Sequence, residues 1–231
     1  MCGRYYMDDE TVEEIEKVIR LVDAKVHNRA DLTMLQTGDI HPADLAPVIA
    51  GRNHEIQLEK IRWGIPKDDK LIINARTETV LEKKMFADSV ERRRIAIPAA
   101  GFYEWNAKKE KYTFRKKDKS LMWFAGFYNL EQNEDRFVIL TTAANTSMQP
   151  VHDRMPLILD NNEIIPWILG DLHSYDNILK KVPEQLEKST EFEQLSLFRI
   201  DFPIENRTCV CYNAITGGEH TFEKNCISYR C

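Results

Sequence analysis

The sequence predicts one domain of mixed α+β class, with a sheet closed on itself or folded over and helices packed outside. Three observations predict it. Between residues 94 and 142 the chain reads as strand after strand, apolar, β-branched and aromatic, with short polar turns between. Helical periodicity is confined to a few segments outside that run. No internal repeat or linker appears before about residue 199, and 231 residues suffice for one good-sized core.

The elements follow in order. Residues 2–7 form a short strand with Tyr5 and Tyr6. Asp8 or Asp9 caps a helix over 9–24, whose apolar face is Val12, Ile15, Val18, Ile19 and Val22 and whose first turn is acidic. Residues 25–38 are polar and loop-like. Pro42 and Pro47 bracket an extended segment through Val48 and Ile49. A strand over 55–63 ends at Trp63-Gly64-Ile65-Pro66, where Gly and Pro break it. Leu71-Ile72-Ile73 leads into Asn74-Ala75-Arg76, and a helix is expected over 78–91. Strands follow at 95–99, Gly101–Trp105, Lys111–Arg115, 121–128 and 137–142, the turn 116–120 folding two of them into a hairpin. Residues 156–159 add a strand and Ile164–Leu169 a short helix. The segment 176–198 is helical in part, interrupted at Pro183.

Composition narrows the function classes. Hydrophobic residues at 43% and charged residues at 30% describe an ordinary soluble protein. No apolar run approaches the ~20 residues that cross a bilayer, and no secretory signal opens the chain, so a cytoplasmic location is expected. The net charge of −5 argues against indiscriminate coating of nucleic acid but leaves room for a local patch. Acid gathers early (Asp8, Asp9, Glu10, Glu13, Glu14, Glu16), and base gathers from Lys108 to Lys119 and at Arg92-Arg93-Arg94.

Cys2 stands alone at the start of the chain. Removal of Met1 would make it the amino terminus, putting an α-amine and a thiol on one carbon skeleton. Such an amine has a pKa near 7.7–8.0, so roughly 10–15% of it is neutral at pH 7. Amine and thiol together trap aldehydes: the amine forms an imine, the sulfur adds to it, and a five-membered thiazolidine closes. An internal cysteine cannot do this.

Four polar clusters accompany Cys2. Asn74-Ala75-Arg76 places an amide and a guanidinium at a strand's end, where the amide can orient a substrate and the guanidinium can fork onto phosphate. Gly101–Trp105 sets the Glu104 carboxylate among three aromatic rings, away from water, as a general acid/base needs. In Val151-His152-Asp153-Arg154-Met155-Pro156, His152 is a side chain that changes charge near neutral pH. Asp153 can orient it and Arg154 can bind phosphate. Trp63 with Pro42 offers flat apolar surfaces on which bases stack. Each cluster alone is equally at home in an ordinary core or loop.

In order and identity these segments resemble the SOS-response-associated peptidase (SRAP) family of abasic-site-processing proteins. Met1-Cys2-Gly3-Arg4, Trp63-Gly64, Asn74-Ala75-Arg76, Gly101-Phe102-Tyr103-Glu104-Trp105 and His152-Asp153-Arg154-Met155-Pro156 carry the resemblance, with Pro42–Ile49 beside them, over about residues 2–169. It implies one domain over 1–198, with antiparallel and mixed sheets in a barrel-like core and peripheral helices. It implies an abasic-site sensor that binds single-stranded DNA and couples to it covalently through Cys2, shielding the site from strand breakage. Removal of Met1, autocatalytic as the family name implies or by a housekeeping aminopeptidase, and a weak abasic-site lyase activity belong to the same picture. Cys2, Asn74, Glu104 and His152 are then the catalytic set, and Arg4, Pro42, Trp63, Arg76 and Arg154 the DNA ligands. No cofactor or metal, no membrane partner and a monomer are expected, with the protein on the nucleoid when bound to DNA.

The alternative enzyme reading is an N-terminal-cysteine glutamine amidotransferase. It leaves Glu104 and the His152–Pro156 segment without a job. A non-catalytic binding module leaves Cys2 idle as well.

Gln194-Leu195-Ser196-Leu197-Phe198 resembles the pentapeptide with which bacterial repair proteins grip the sliding clamp, Gln194, Leu195, Leu197 and Phe198 being the contact residues. Beyond it, the composition of 199–231 departs from the body, the closing strand the resemblance leads one to expect is not recognisable in its letters, and an atypical, poorly ordered tail is the expectation there. Cys209, Cys211, Cys226 and Cys231 lie there with His220, at spacings that fit no zinc ligand pattern.

Overall fold

The computed structural model describes residues 2–23, 35, 37–53, 55–131 and 134–190, and strands dominate it. In chain order they are β1 (Tyr5–Met7), β2 (Gly38–Ile40), β3 (Leu45–Arg52), β4 (Glu55–Trp63), β5 (Ile65–Lys67), β6 (Lys70–Ile72), β7 (Asn74–Arg76), β8 (Arg94–Ala99), β9 (Gly101–Trp105), β10 (Lys111–Arg115), β11 (Met122–Leu130), β12 (Asp135–Ala143), β13 (Arg154–Pro156), β14 (Ile158–Leu159) and β15 (Glu187–Thr190). Helices α1 (Asp9–Asp23), α2 (Ala87–Arg92), α3 (Ile164–Leu169) and α4 (Leu172–Leu179) complete the mixed α+β set. The proposed clamp peptide 194–198 and the tail 199–231 lie outside the described residues.

The expected closure exists as a ring of strands. β12 pairs β4, β4 pairs β3, β3 pairs β8, β8 pairs β11, and β11 returns to β12. β8 and β11 read as near-continuous apolar runs because both faces are covered: 94–99 are all buried, as are 122–128. β12 also carries β7 in parallel and β13 antiparallel, so Thr141 stands beside both Arg76 and Pro156. A second sheet runs β15-β10-β9-β1-β2. Its inner side chains, Tyr5, Phe102 and Phe114, join the ring's Trp63, Phe124 and Phe137 in one core.

Local chemistry sets several boundaries. The Asp8 carboxylate accepts the Thr11 amide at 2.9 Å and caps α1. Helix α1 buries Ile15 and is tied down where Glu14 accepts the Leu121 amide at 2.9 Å. Gly64 sits at φ 105°, where a side chain is strained, and a Cβ there would meet Ile73 Cγ2 at 3.2 Å. That turn lets β4 break off, loop out as the β5–β6 hairpin, and resume as β7 on β12.

Two sequence expectations are corrected and a third is extended. The helix over 78–91 shrinks to α2. The Thr77 amide is taken by the Thr141 carbonyl of β12 at 3.0 Å, β-branched Thr77, Thr79 and Val80 lower the helix propensity, and i to i+3 bonds follow in its place, Thr79 on Arg76 and Glu82 on Thr79. The turn 116–120 does not make a hairpin. β10 pairs β9 and β15, while β11 pairs β8, β12 and β14, so that turn carries the chain from one sheet to the other. The segment 176–198 is helical in part, since α4 runs to Leu179, but beyond Pro183 it also holds a strand, β15, on the edge of β10. Its all-polar residues, Glu187 to Thr190, show no apolar alternation by which the sequence could reveal it.

Candidate functional site

Cys2 lies just ahead of β1, fully buried. Three elements hold it. The register Tyr5 opposite Phe102, continued by the Tyr103 amide on the Arg4 carbonyl at 3.0 Å, brings Glu104 alongside residues 2–3. Asn74, at the head of β7, donates its Nδ2 to the Cys2 carbonyl at 2.8 Å. The Cys2 Sγ lies 4.0 Å from the Arg4 carbonyl. Alternation in β9 puts Phe102 and Glu104 on the inner face and leaves Trp105 exposed. Glu104 is 4% exposed, and Asn74 Oδ1 is buried without a hydrogen-bond partner among the described residues.

Burial pushes the Cys2 thiol far up, and the Glu104 charge raises it further. The sulfur is therefore a thiol at neutral pH. An amine, once freed, is the readier nucleophile of the pair. Tyr5 is raised the same way, by burial first and then by the charges of Cys2 and Asp44, so its hydroxyl shares the neighbourhood of the thiol.

His152 arrives from another element, two residues ahead of β13's Arg154. Its Nδ1 accepts the Arg154 amide at 3.0 Å and stands 2.8 Å from Asp153 Oδ1. The ring is about a quarter exposed.

The expected DNA ligands fall into two groups. Arg76 is exposed at the end of β7, and Pro42 is half-buried in the turn before β3. Arg4 is about a third exposed, paired with Asp39, and lies 5.3 Å over the Tyr103 ring; its Nε is buried without a partner among the described residues. Trp63, expected to stack on a base, is 0% exposed, donates Nε1 to the Ile73 carbonyl at 3.0 Å, and packs 5.3 Å from Tyr5 and parallel to Phe137 at 6.2 Å. An aromatic ring sealed in the core has no face to offer a base. Its backbone carbonyl instead takes the Ala43 amide at 2.8 Å and fixes the Pro42 turn. Arg154, expected to bind phosphate, is engaged within the protein as well. Its guanidinium forks onto Glu78 at 2.7 and 2.9 Å and donates to the Thr141 carbonyl at 2.5 Å, so a phosphate would have to displace a carboxylate.

Two acids escaped the sequence reading. Burial works to raise the Asp39 carboxyl, but hydrogen bonds from Arg4 and Tyr103 outweigh it and hold it below the usual range. Tyr103, 3.1 Å from Asp39, is pushed up to about 12 by burial and by that carboxylate. Glu78 is held low chiefly by the Arg154 fork. Glu78 stands two residues after Arg76, so the strand end itself was the available signal. Asp39 had none, because only pairing with β1 brings it to Arg4. Among the described residues no group of three or more His, Cys, Asp or Glu could hold a metal ion, and no helix is long and apolar enough to cross a membrane.

Comparison with known proteins points the same way. The family model for SOS response associated peptidase (SRAP) matches residues 1–200. The abasic site processing protein YoqW of Bacillus subtilis is 34% identical over 190 residues, covering 73% of this chain and 80% of the relative. The abasic site processing protein YedK of Escherichia coli is 24% identical over 182 residues, covering 74% and 81%. A crystal structure of a phage-related protein from Bordetella bronchiseptica superposes with a TM-score of 0.66 at 21% identity, covering 82% of this chain and 93% of that one, and shares its fold.

Proposed function

The chain belongs to the SRAP family, and from that premise we propose that it captures abasic sites in single-stranded DNA as a covalent thiazolidine on Cys2. The carrying observation is the convergence at one buried point of the Cys2 backbone, the Asn74 amide on its carbonyl and the Glu104 carboxylate beside it. Two relatives bearing the name abasic site processing protein lend the substrate class.

The chemistry runs in balanced steps. Met1 is removed, freeing the amine of Cys2. The abasic sugar is mostly a closed hemiacetal, so Glu104 takes the hydroxyl proton and the ring opens to an aldehyde. His152 protonates the departing ring oxygen. The amine attacks the aldehyde carbon, and loss of one water gives the imine. The Cys2 sulfur then bonds to that carbon while its proton passes to the nitrogen, closing the ring. Asn74 keeps the Cys2 backbone in register through both steps. Arg4 and Arg76 bind the flanking phosphates, and Pro42 meets the neighbouring bases. The imine also allows β-elimination, hence a weak lyase activity that ring closure suppresses.

An amine-first order suits a thiol pushed up by burial. A glutamine amidotransferase would need the sulfur as the attacking nucleophile, which the same burial disfavours. Gripping the sliding clamp through Gln194, Leu195, Leu197 and Phe198 completes the proposal, and pull-down against Phe198→Ala tests that part. Intact mass spectrometry after incubation with a uracil-glycosylase-treated single-stranded oligonucleotide tests the whole. The expected product is protein lacking Met1 plus oligonucleotide minus one water, absent for Cys2→Ala. Unmodified wild-type protein would overturn the reading.

A further inference from the structure

Imidazole has two nitrogens, and which one carries the proton decides what a neutral histidine can donate. At His152 the Arg154 amide points into Nδ1 at 3.0 Å. An accepting Nδ1 leaves the proton of the neutral ring on Nε2. Asp153 Oδ1 contests the same nitrogen at 2.8 Å, and it would win only if Nδ1 bore the proton. Its side chain is 82% exposed, so water already solvates it and weakens its hold. The outcome therefore turns on how firmly the Arg154 amide is placed.

That amide is placed twice over. Arg154 pairs with Ala143 in β13. Its side chain, 11% exposed, then anchors the residue through three hydrogen bonds, two of them the fork onto Glu78 at 2.7 and 2.9 Å and the third to the Thr141 carbonyl. Parallel N–H donors on one carboxylate make a geometrically rigid pair. Glu78 itself follows β7, the strand that carries Asn74. The fork thus joins the Asn74 segment to the His152 segment across β12.

We propose that Glu78 is a positioning residue: through Arg154 it sets the backbone amide on His152 Nδ1 and keeps the proton of the neutral ring on Nε2, ready for the sugar oxygen. This rests on the thiazolidine reading above. The rival role for Arg154, a phosphate ligand that Glu78 merely shields, predicts effects of opposite sign.

Two measurements decide. In ¹H–¹⁵N spectra of ring-labelled protein without DNA, with His152 assigned by its absence in His152→Ala, wild-type His152 should show an unprotonated Nδ1 and a protonated Nε2. Glu78→Gln should shift it toward a mixture. In single-turnover crosslinking to abasic single-stranded DNA, Glu78→Gln should slow the saturated rate by about tenfold, a fraction of what general acid/base catalysis supplies, with half-saturating DNA unchanged. Arg154→Lys keeps the charge but loses the fork, and should fail in the same way. A proton on Nδ1 in the wild type would overturn the proposal. So would Glu78→Gln protein that binds DNA more tightly and reacts as fast or faster, the result expected of an unshielded phosphate ligand. If Arg154→Lys does not fold, the wild-type and Glu78→Gln spectra still decide. A wild type that forms no adduct would sink the functional reading, whereas the tautomer spectra, needing no DNA, judge Glu78 separately.

Discussion

On the proposed reading, removal of Met1 gives Cys2 two nucleophiles on one carbon skeleton, and burial separates their roles. The thiol is held protonated well above neutrality by desolvation and by Glu104. The rate of adduct formation should therefore follow the amine, rising as it loses its proton through about 7.7–8.0 and then levelling. A pH–rate profile that instead climbs through the ordinary thiol range near 8.5 would mean the sulfur attacks first. Beside it, the Tyr5 hydroxyl is buried without a partner among the described residues. An unmet buried hydroxyl costs about 1–3 kcal/mol, so Tyr5→Phe should raise stability by about 1 kcal/mol in thermal or denaturant unfolding. A loss of stability would mean that the hydroxyl is bonded after all. Trp63 makes the contrasting case. Truncation to Ala should remove about 3–5 kcal/mol of folding stability, more than the roughly 1–3 kcal/mol a base-stacking ring would contribute to DNA binding. Unfolding, not DNA titration, should register the change.

The elements that matter most are those that leave a strand and return to it. Gly64 lets β4 swing out and β7 come back in line on β12, which is what delivers Asn74 to the Cys2 carbonyl. Gly64→Ala should cost roughly 1–2 kcal/mol for the left-handed backbone alone, and the Ile73 contact adds to it. Crosslinking should suffer with stability, since Asn74 moves with the hairpin. The Glu78–Arg154 tie between β7 and β13 has a pH signature. Because the folded-state pKa of Glu78 lies below its ordinary 4.5, its contribution is whole above that value and fades as pH falls through the lower one. Acid unfolding of Glu78→Gln should lack that component, and an unchanged acid limb would count against the tie. These elements also show what the sequence could tell. β4 ends where Gly64 says it should, because turn chemistry is local. The β9–β10 hairpin is local too, its turn closed by the Asn106 amide on the Glu110 carbonyl at 3.1 Å, whereas the pairing of β11 with β8, β12 and β14 is not, so the letters of 116–120 do not say that this turn leaves the sheet. Cys2, Asn74 and Glu104 were legible as residue types, but their meeting is a property of three strands. The burial of Trp63 was illegible, because a tryptophan beside a glycine reads alike inside a core or on its rim.

Across the whole molecule, the charges bear on how DNA could be held. A net charge of −5 argues against general affinity for phosphate, so the proposed DNA binding must rest on a few placed cations. Of the three arginines near the site, Arg154 is committed to Glu78 and Arg4 leans on Asp39, which leaves Arg76 as the exposed one. The ring and the second sheet hold these residues in fixed relation, β7 and β13 through β12 and Arg4 through β1. Few contacts mean a shallow salt dependence. For single strands the slope of log K against log salt is about −0.7 for each phosphate neutralised, so Arg76→Ala should flatten it by about 0.7 and weaken binding alike for every sequence. Asp39→Asn should act in the opposite direction, loosening Arg4 for phosphate and steepening the slope toward that of one further contact. Fluorescence anisotropy of an abasic oligonucleotide with Cys2→Ala protein, titrated over a salt series, isolates binding from reaction. An Arg76→Ala slope equal to that of the parent protein would remove Arg76 from the strand's path and shift the anchoring to the basic stretch 108–119.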